Sequence, residues 1–130
     1  MSHTTALPAW FSRAIQALQA NDIDGWMSIY AQDAVHEFPF APPGAVRRLE
    51  GRGAILEYMS HLPNSIRFGP LSDVRVRQVD DEVIIEATGH HRRVDDDAPV
   101  ELEYVWFITV RGEEVFHIRD YMNPLQLSTV

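Results

Sequence analysis

The chain contains no cysteine among its 130 residues, so disulfides, thiol nucleophiles and thiolate metal sites are excluded. Basic residues are also few: 11 lysines and arginines stand against 19 aspartates and glutamates, for a formal net charge of −8. A strongly acidic chain is poorly suited to phosphate backbones, so no nucleic-acid partner is expected. No apolar run approaches the roughly 20 residues of a membrane span, and the first residues lack the basic and apolar regions of a secretion signal. We therefore expect no membrane association and a cytoplasmic protein.

The chain length corresponds to a single domain, residues 1–130. Its first half has the apolar spacing of amphipathic helices. A first helix would bury Phe11, Ala14, Ile15 and Leu18, a short second helix Trp26, Ile29 and Tyr30, and a third helix Ile55, Tyr58, Met59 and Leu62. A short strand at 35–40 followed by a proline-rich loop at 42–44 separates the second helix from the third.

The second half has the two-residue period of strands, at 71–79, 82–91, 100–110 and 114–122. Short polar links separate these segments, and such links join antiparallel neighbours. The order of elements predicts an α+β domain with helices on one face of a curved antiparallel sheet.

The last strand carries a carboxylate, Asp120, between Ile118 and Met122. Alternate residues of a strand share a face, so all three side chains point the same way. An ionised carboxylate on an apolar face is costly unless it is paired or lies in a polar cavity. Asp120 is therefore either a structural ion-pair partner or the acid–base group of a pocket.

Three segments of the chain resemble the nuclear-transport-factor-2-like (NTF2-like) superfamily. They are Ala20-Asn21-Asp22-Ile23-Asp24-Gly25-Trp26 with the following 30–35, Glu50-Gly51-Arg52-Gly53-Ala54-Ile55, and the last strand with its Met122-Asn123-Pro124 ending. That ending is similar to the PhzA/PhzB-like branch, and the SnoaL-like polyketide cyclases belong to the same superfamily. The resemblance implies a cone-shaped curved sheet wrapped around three helices, an enclosed pocket and a homodimer.

The family's catalytic groups transfer only in part. Phe38 stands at the position of the ketosteroid isomerase base and cannot take a proton. The oxyanion tyrosine and the protonated aspartic acid of those enzymes fall near Ala14 and Val105, where this chain lacks both groups. Steroid isomerisation by that mechanism is therefore not expected. Asp120 matches one aspartate of limonene epoxide hydrolase, but the companion arginine and aspartate are missing from 82–91, which disfavours epoxide hydrolysis. In the PhzA/PhzB-like and SnoaL-like proteins, a carboxylate in this region acts as acid and base, and the resemblance gives that role to Asp120.

If the family's pocket is kept, Asp120 and His36 are its predicted catalytic pair, because a carboxylate beside an imidazole can exchange a proton near pH 7. The predicted substrate-binding residues are Trp26, Tyr30, Phe38, Phe40, Tyr58, Met59, Glu86, His90, Glu103 and Met122. This set suits a flat apolar ligand and requires no metal or cofactor. His90 and His91 point to opposite faces of their strand and cannot share one ion.

The leading hypothesis is a cofactor-free acid–base enzyme, of isomerase, cyclase or dehydratase type, acting on an apolar cyclic or carbonyl-bearing molecule. The alternative is a non-catalytic module that binds a small ligand or a partner. The segments 83–85 and 104–110 are apolar on both faces. The helices can cover only one face of the sheet, so we expect a homodimer through the other face, with Trp106 in its interface.

Overall fold

The computed structural model describes residues 2–127; Met1 and 128–130, which the predicted single domain includes, lie outside the described residues. The helices are α1 (Ala9–Gln19), α2 (Ile23–Met27), α3 (Arg52–His61) and α4 (Pro124–Leu127), with a 3₁₀ turn at Leu62–Asn64. The strands are β1 (Ser2–Thr4), β2 (Tyr30–Glu37), β3 (Arg48–Glu50), β4 (Ile66–Arg67), β5 (Leu71–Val79), β6 (Glu82–Arg93), β7 (Pro99–Arg111) and β8 (Glu114–Met122).

A curled, mainly antiparallel sheet forms a half-barrel in the order β1-β5-β6-β7-β8-β2-β3, and β4 pairs with β6 beside this path. The predicted α+β class and the antiparallel meander of the four long strands are confirmed. The short strands β1, β3 and β4 and their pairings were not predicted. Neither was the parallel pairing of β2 with β8, in which His36 lies opposite Ile118. This pairing brings a strand from the first third of the chain next to the last strand.

The helices cover the inner face of the half-barrel. The stripe predicted for α1 is buried as expected, with Phe11, Ala14, Ile15 and Leu18 all in the core. The start of α2 is capped by Asp22, whose carboxylate accepts a hydrogen bond of 3.0 Å from the amide of Gly25. The fourth helix is short and was not predicted.

The predicted short strand at 35–40 is corrected to Tyr30–Glu37. Tyr30 therefore belongs to β2 and not to the second helix. Its early part was hidden in the sequence because the pairing with β8 shifts register between Tyr30 and Val35, which interrupts the alternation of buried and exposed residues. Among residues 2–127, no helix has both the length and the apolar character needed to cross a membrane.

Candidate active site

An apolar cavity of about 210 Å³ lies between the helices and the inner face of the sheet. The helices and the 3₁₀ turn contribute mainly apolar side chains: Phe11, Ile15, Leu18, Trp26, Tyr58, Met59 and Leu62. The sheet contributes His36, Leu71, His91, Leu102, Tyr104, Trp106, Ile118, Asp120 and Met122. The volume is below the roughly 300–1,000 Å³ of pockets for drug-sized ligands, which indicates a compact ligand.

Asp120 is the one carboxylate among the described residues that line this cavity. The residue is only 8% exposed. Its Oδ1 accepts a hydrogen bond of 2.9 Å from Trp106 Nε1, and its Oδ2 lies 3.0 Å from His36 Nε2. A carboxylate has about four acceptor positions, so two remain for a ligand after these contacts.

His36 is held at both ring nitrogens. Nε2 contacts Asp120, and Nδ1 lies 2.9 Å from the hydroxyl of Tyr30. Burial, and then the negative charge of Asp120, raise the pKa of Tyr30 well above its ordinary value, so this phenol stays protonated. With a neutral imidazole, the Tyr30 hydroxyl donates to Nδ1 and Nε2–H donates to Asp120. The three side chains thus form one hydrogen-bonded row that ends at the cavity.

Two further phenols line the cavity. Burial, and then the charge of Asp120, raise the pKa of both Tyr58 and Tyr104, so both remain hydrogen-bond donors at neutral pH. The hydroxyl of Tyr58 has no protein hydrogen-bond partner within residues 2–127. Trp26 Nε1 is also buried without a hydrogen-bond partner in this part of the chain. It lies close enough to Tyr30 to reduce the rise of the Tyr30 pKa.

A second pocket, more open, adjoins the cavity at Asp120. It shares Phe38, Tyr58, Asp120 and Met122 with the cavity. Its outer wall is the loop after β2, through Phe40, Ala41, Pro42, Ala45 and Val46. The proline-rich loop and Asp120 therefore line the same pocket.

The structure brings Asp120 and His36 together, as the sequence predicts, although 84 positions separate them. Five of the predicted substrate-binding residues line the cavity: Trp26, Phe38, Tyr58, Met59 and Met122. Tyr30 contacts His36 at its far side. Phe40 is 58% exposed and lines the second pocket.

The predicted placement of Glu86, His90 and Glu103 in the pocket is wrong, as is that of Trp106 in a dimer interface. The first three lie on the outer face of the sheet, where Glu86 pairs with Arg77 and His90 bonds to Ser72. A β-bulge between β7 and β8 is the reason. The hairpin begins with Arg111 opposite Glu114, and continuing that register would place Val105 opposite Asp120. The register shift after Val110 places Trp106 there instead, and a one-residue slip exchanges the two faces of a strand.

The shift also brings His91 and Tyr104 inward. The sequence left open whether His90 or His91 faces the pocket, and it did not indicate Tyr104. No arginine is among the described cavity-lining residues. The Asp–Arg–Asp set of epoxide hydrolysis is therefore not assembled at this cavity.

Residues 11–118 match the model of the SnoaL-like domain. The chain belongs to the SnoaL-like family. An uncharacterised Bacillus subtilis protein, YesE, is 32% identical over 108 residues, which cover 80% of this chain and 72% of that protein. An uncharacterised PhzA/B-like protein of Pseudomonas aeruginosa is 29% identical over 117 residues, 87% of this chain and 81% of the relative.

A provisionally assigned isomerase of Bacillus subtilis has the same fold, with a TM-score of 0.87 at 27% identity, covering 92% of this chain and 88% of that one. More distant structures, below 25% identity, include provisionally assigned polyketide cyclases and an NTF2-like protein, and the likeness to them shows the fold alone. The predicted superfamily and the PhzA/PhzB-like resemblance are thus confirmed.

Proposed function

We propose that this SnoaL-like protein is a cofactor-independent acid–base enzyme for a compact apolar molecule that carries a carbonyl group. Asp120 is the group that takes and returns the proton, and His36 is its partner. The observation that carries this proposal is the contact between the Asp120 carboxylate and His36 at the wall of an otherwise apolar cavity. Polar groups that converge in an apolar pocket are the usual arrangement of a small-molecule site.

The chemistry is proton abstraction next to the carbonyl. Asp120 accepts the proton of the adjacent carbon, the C–H electron pair becomes a C=C bond, and the carbonyl π pair moves to oxygen. In D₂O, Asp120 trades this proton for a deuteron of the solvent before reprotonation. Its return to the same carbon then gives deuterium exchange, and its return to a different carbon gives isomerisation. Trp106 and His36 hold the two carboxylate oxygens throughout and limit the rotation of the side chain.

The apolar wall has a defined part in this scheme. It excludes water from the carbanion-like intermediate, and low-dielectric surroundings strengthen each hydrogen bond that stabilises the developing charge. Phe38 stacks on His36 with ring centres 4.8 Å apart and adds an apolar surface to both the cavity and the second pocket.

Deuterium exchange tests this proposal without knowledge of the natural substrate. A panel of small cyclic and aromatic ketones that bind the protein is incubated in D₂O, and incorporation next to the carbonyl is followed by NMR. We expect exchange that Asp120→Asn slows by at least 100-fold while ligand affinity stays within a few-fold. Asp73→Asn, at an exposed position on β5, is the matched control and should leave exchange unchanged.

A non-catalytic ligand-binding module is the alternative, and one observation favours it. Both oxygens of Asp120 already contact protein donors, as in a structural carboxylate. This role predicts no exchange with any ketone that binds, and a loss of unfolding free energy in Asp120→Asn that matches any loss of affinity. Either result would overturn the enzyme proposal.

A further inference from the structure

His91 and Tyr104 form a hydrogen-bonded pair on the cavity wall. His91 Nε2 lies 2.8 Å from the Tyr104 hydroxyl, and its Nδ1 accepts a hydrogen bond of 3.0 Å from the amide of Gly69. Both side chains line the cavity that Asp120 also lines. The hydrogen bonds of this pair determine where each proton lies.

The amide of Gly69 determines the tautomer of His91. A backbone N–H can only donate, so Nδ1 must be the acceptor nitrogen and the ring proton must lie on Nε2. Burial, and then the neighbouring charge of His90, lower the pKa of His91 to about 4, so the ring is neutral at pH 7. His91 Nε2–H therefore donates to the oxygen of Tyr104.

The hydroxyl proton of Tyr104 is left for a ligand. Its oxygen accepts from His91, and burial keeps the phenol protonated by raising its pKa. Within residues 2–127, the hydroxyl has no second hydrogen-bond partner, and a buried O–H normally finds one. Tyr104 also stacks on Trp106, with ring centres 4.7 Å apart, and Trp106 holds Asp120. The free donor and the carboxylate therefore belong to one connected part of the wall.

Gly89 provides the space for this pair. Tyr104 lies opposite Ala87 and His91 opposite Val100, so the His91 ring must extend over position 89 to reach the phenol. A Cβ at Gly89 would lie 2.2 Å from His91 Nε2 and 2.9 Å from Tyr104 Cε2. A Cβ at Gly69 would lie 1.8 Å from the carbonyl oxygen of His90. Both glycines thus permit an approach that a side chain would block.

We propose that the Tyr104 hydroxyl donates a hydrogen bond to the carbonyl oxygen of the substrate, and that His91 is the positioning residue that directs this proton. The inference rests on the proposed function and adds the group that receives the oxygen. As Asp120 removes the adjacent proton, charge accumulates on this oxygen and the hydrogen bond from Tyr104 strengthens. Tyr104 keeps its proton, so no further acid is needed. A donor of this kind typically contributes about 10²–10³-fold in rate.

Binding of 2-naphthol, an aromatic alcohol whose oxygen resembles that of an enolate, tests the donor. The test uses Asp120→Asn, because asparagine resembles the protonated aspartate that coexists with the intermediate. In this background Tyr104→Phe should weaken 2-naphthol binding at least tenfold. Tyr121→Phe removes a phenol from the outer face and should change it less than twofold. Equal affinity with and without the Tyr104 hydroxyl would overturn the assignment of Tyr104 alone, whereas no binding to any variant would overturn the proposed apolar ligand as well.

The role of His91 has its own readouts. We expect ¹⁵N NMR to show the Nε2-protonated neutral tautomer at pH 7; an Nδ1-protonated or a doubly protonated ring would overturn the proposal. His91→Gln keeps one acceptor and one donor and should keep most of the affinity, whereas His91→Leu should lose as much as Tyr104→Phe. His90→Gln, on the opposite face, is the control. With a ketone that exchanges, Tyr104→Phe should lower kcat more than it raises KM.

Discussion

At the scale of single residues, the Tyr30 hydroxyl has a testable structural part in the site. Tyr30→Phe removes the hydrogen bond to His36 Nδ1 and leaves a buried acceptor without a partner. We expect a loss of about 1–2 kcal/mol in unfolding free energy, measured by urea denaturation. Deuterium exchange should slow because the imidazole is then held by Asp120 alone. Tyr58→Phe, whose hydroxyl has no protein partner in the described part of the chain, should leave stability nearly unchanged; equal losses in both variants would contradict this account.

His91 makes stability depend on pH. Its pKa is about 4 in the folded protein and 6.5 unperturbed, so the unfolded chain binds a proton between these values and the folded chain does not. This difference in proton binding adds to the free energy of unfolding, and the addition is fully present above about pH 6.5. It is lost as the pH falls toward 4, by up to about 1 kcal/mol per pH unit. The groups that face the ring are the Gly69 amide, Tyr104 and Phe68, with His90 adjacent in the chain.

Urea denaturation at several pH values measures this effect. His91→Gln should flatten the curve of unfolding free energy between pH 6.5 and 4, and His90→Gln should not. An unchanged slope in His91→Gln would show that His91 titrates normally in the folded protein.

Residue chemistry together with the family resemblance predicted that Asp120 and His36 lie in one site. A carboxylate between Ile118 and Met122 is sufficiently unusual to indicate an inward position, and the aromatic neighbours of His36 place it on an apolar face. No local signal indicated that His91 and Tyr104 would form a hydrogen-bonded pair. Their pairing depends on space at Gly89 and on a backbone amide at Gly69, which only the folded chain brings together.

At the scale of elements, strand periodicity predicted the strands well but did not determine their faces. The strands at 71–79 and 114–122 have the predicted bounds, and the other two long strands extend by one or two residues beyond their predicted ends.

The bulge after Val110 adds one residue on the side of β8, and no glycine or proline marks it in the sequence. A signal for the correct face was nevertheless present: Glu101 and Glu103 are charged, whereas Val100, Leu102, Tyr104 and Trp106 form an uninterrupted apolar and aromatic set. Burying the apolar and aromatic set costs less free energy than burying the two glutamates.

Strand β6 offers a direct test of close packing. Gly89→Ala places a methyl group against the rings of His91 and Tyr104, and overpacking of this kind costs about 1–3 kcal/mol. We expect a lower melting temperature and weaker 2-naphthol binding. Gly53→Ala, in α3 with open space around its Cβ, is the matched control and should be neutral or stabilising by up to about 1 kcal/mol. Similar melting temperatures for both variants would contradict the packing argument.

At the scale of the whole molecule, we propose that a second copy covers the outer face of the sheet. The half-buried residues Ile84, Val105, Phe107 and Tyr121 lie together there on neighbouring strands, and the rings of Phe107 and Tyr121 are 5.7 Å apart. Charges of both signs surround this row, including Arg119 and the Glu86–Arg77 pair. A two-fold axis through such a face sets each apolar row against its own copy.

Light scattering during size-exclusion chromatography tests this assembly. The unmodified chain should elute as a dimer at micromolar concentration, and Phe107→Glu should elute as a monomer. Val79→Glu makes a comparable change at an exposed strand end and should remain dimeric. A monomeric unmodified chain would refute the proposed interface.

The parallel contact between β2 and β8 has a consequence for when the proposed site is assembled. Asp120 is synthesised 84 residues after His36, and the two side chains meet only when β8 pairs with β2. Pairings between distant parts of a chain are slow to form. A polypeptide that stops after β7 would contain α1 to α3 and seven of the eight strands but would lack Asp120, the proposed proton-transfer group. The proposed chemistry should therefore appear only after β8 has paired with both β7 and β2.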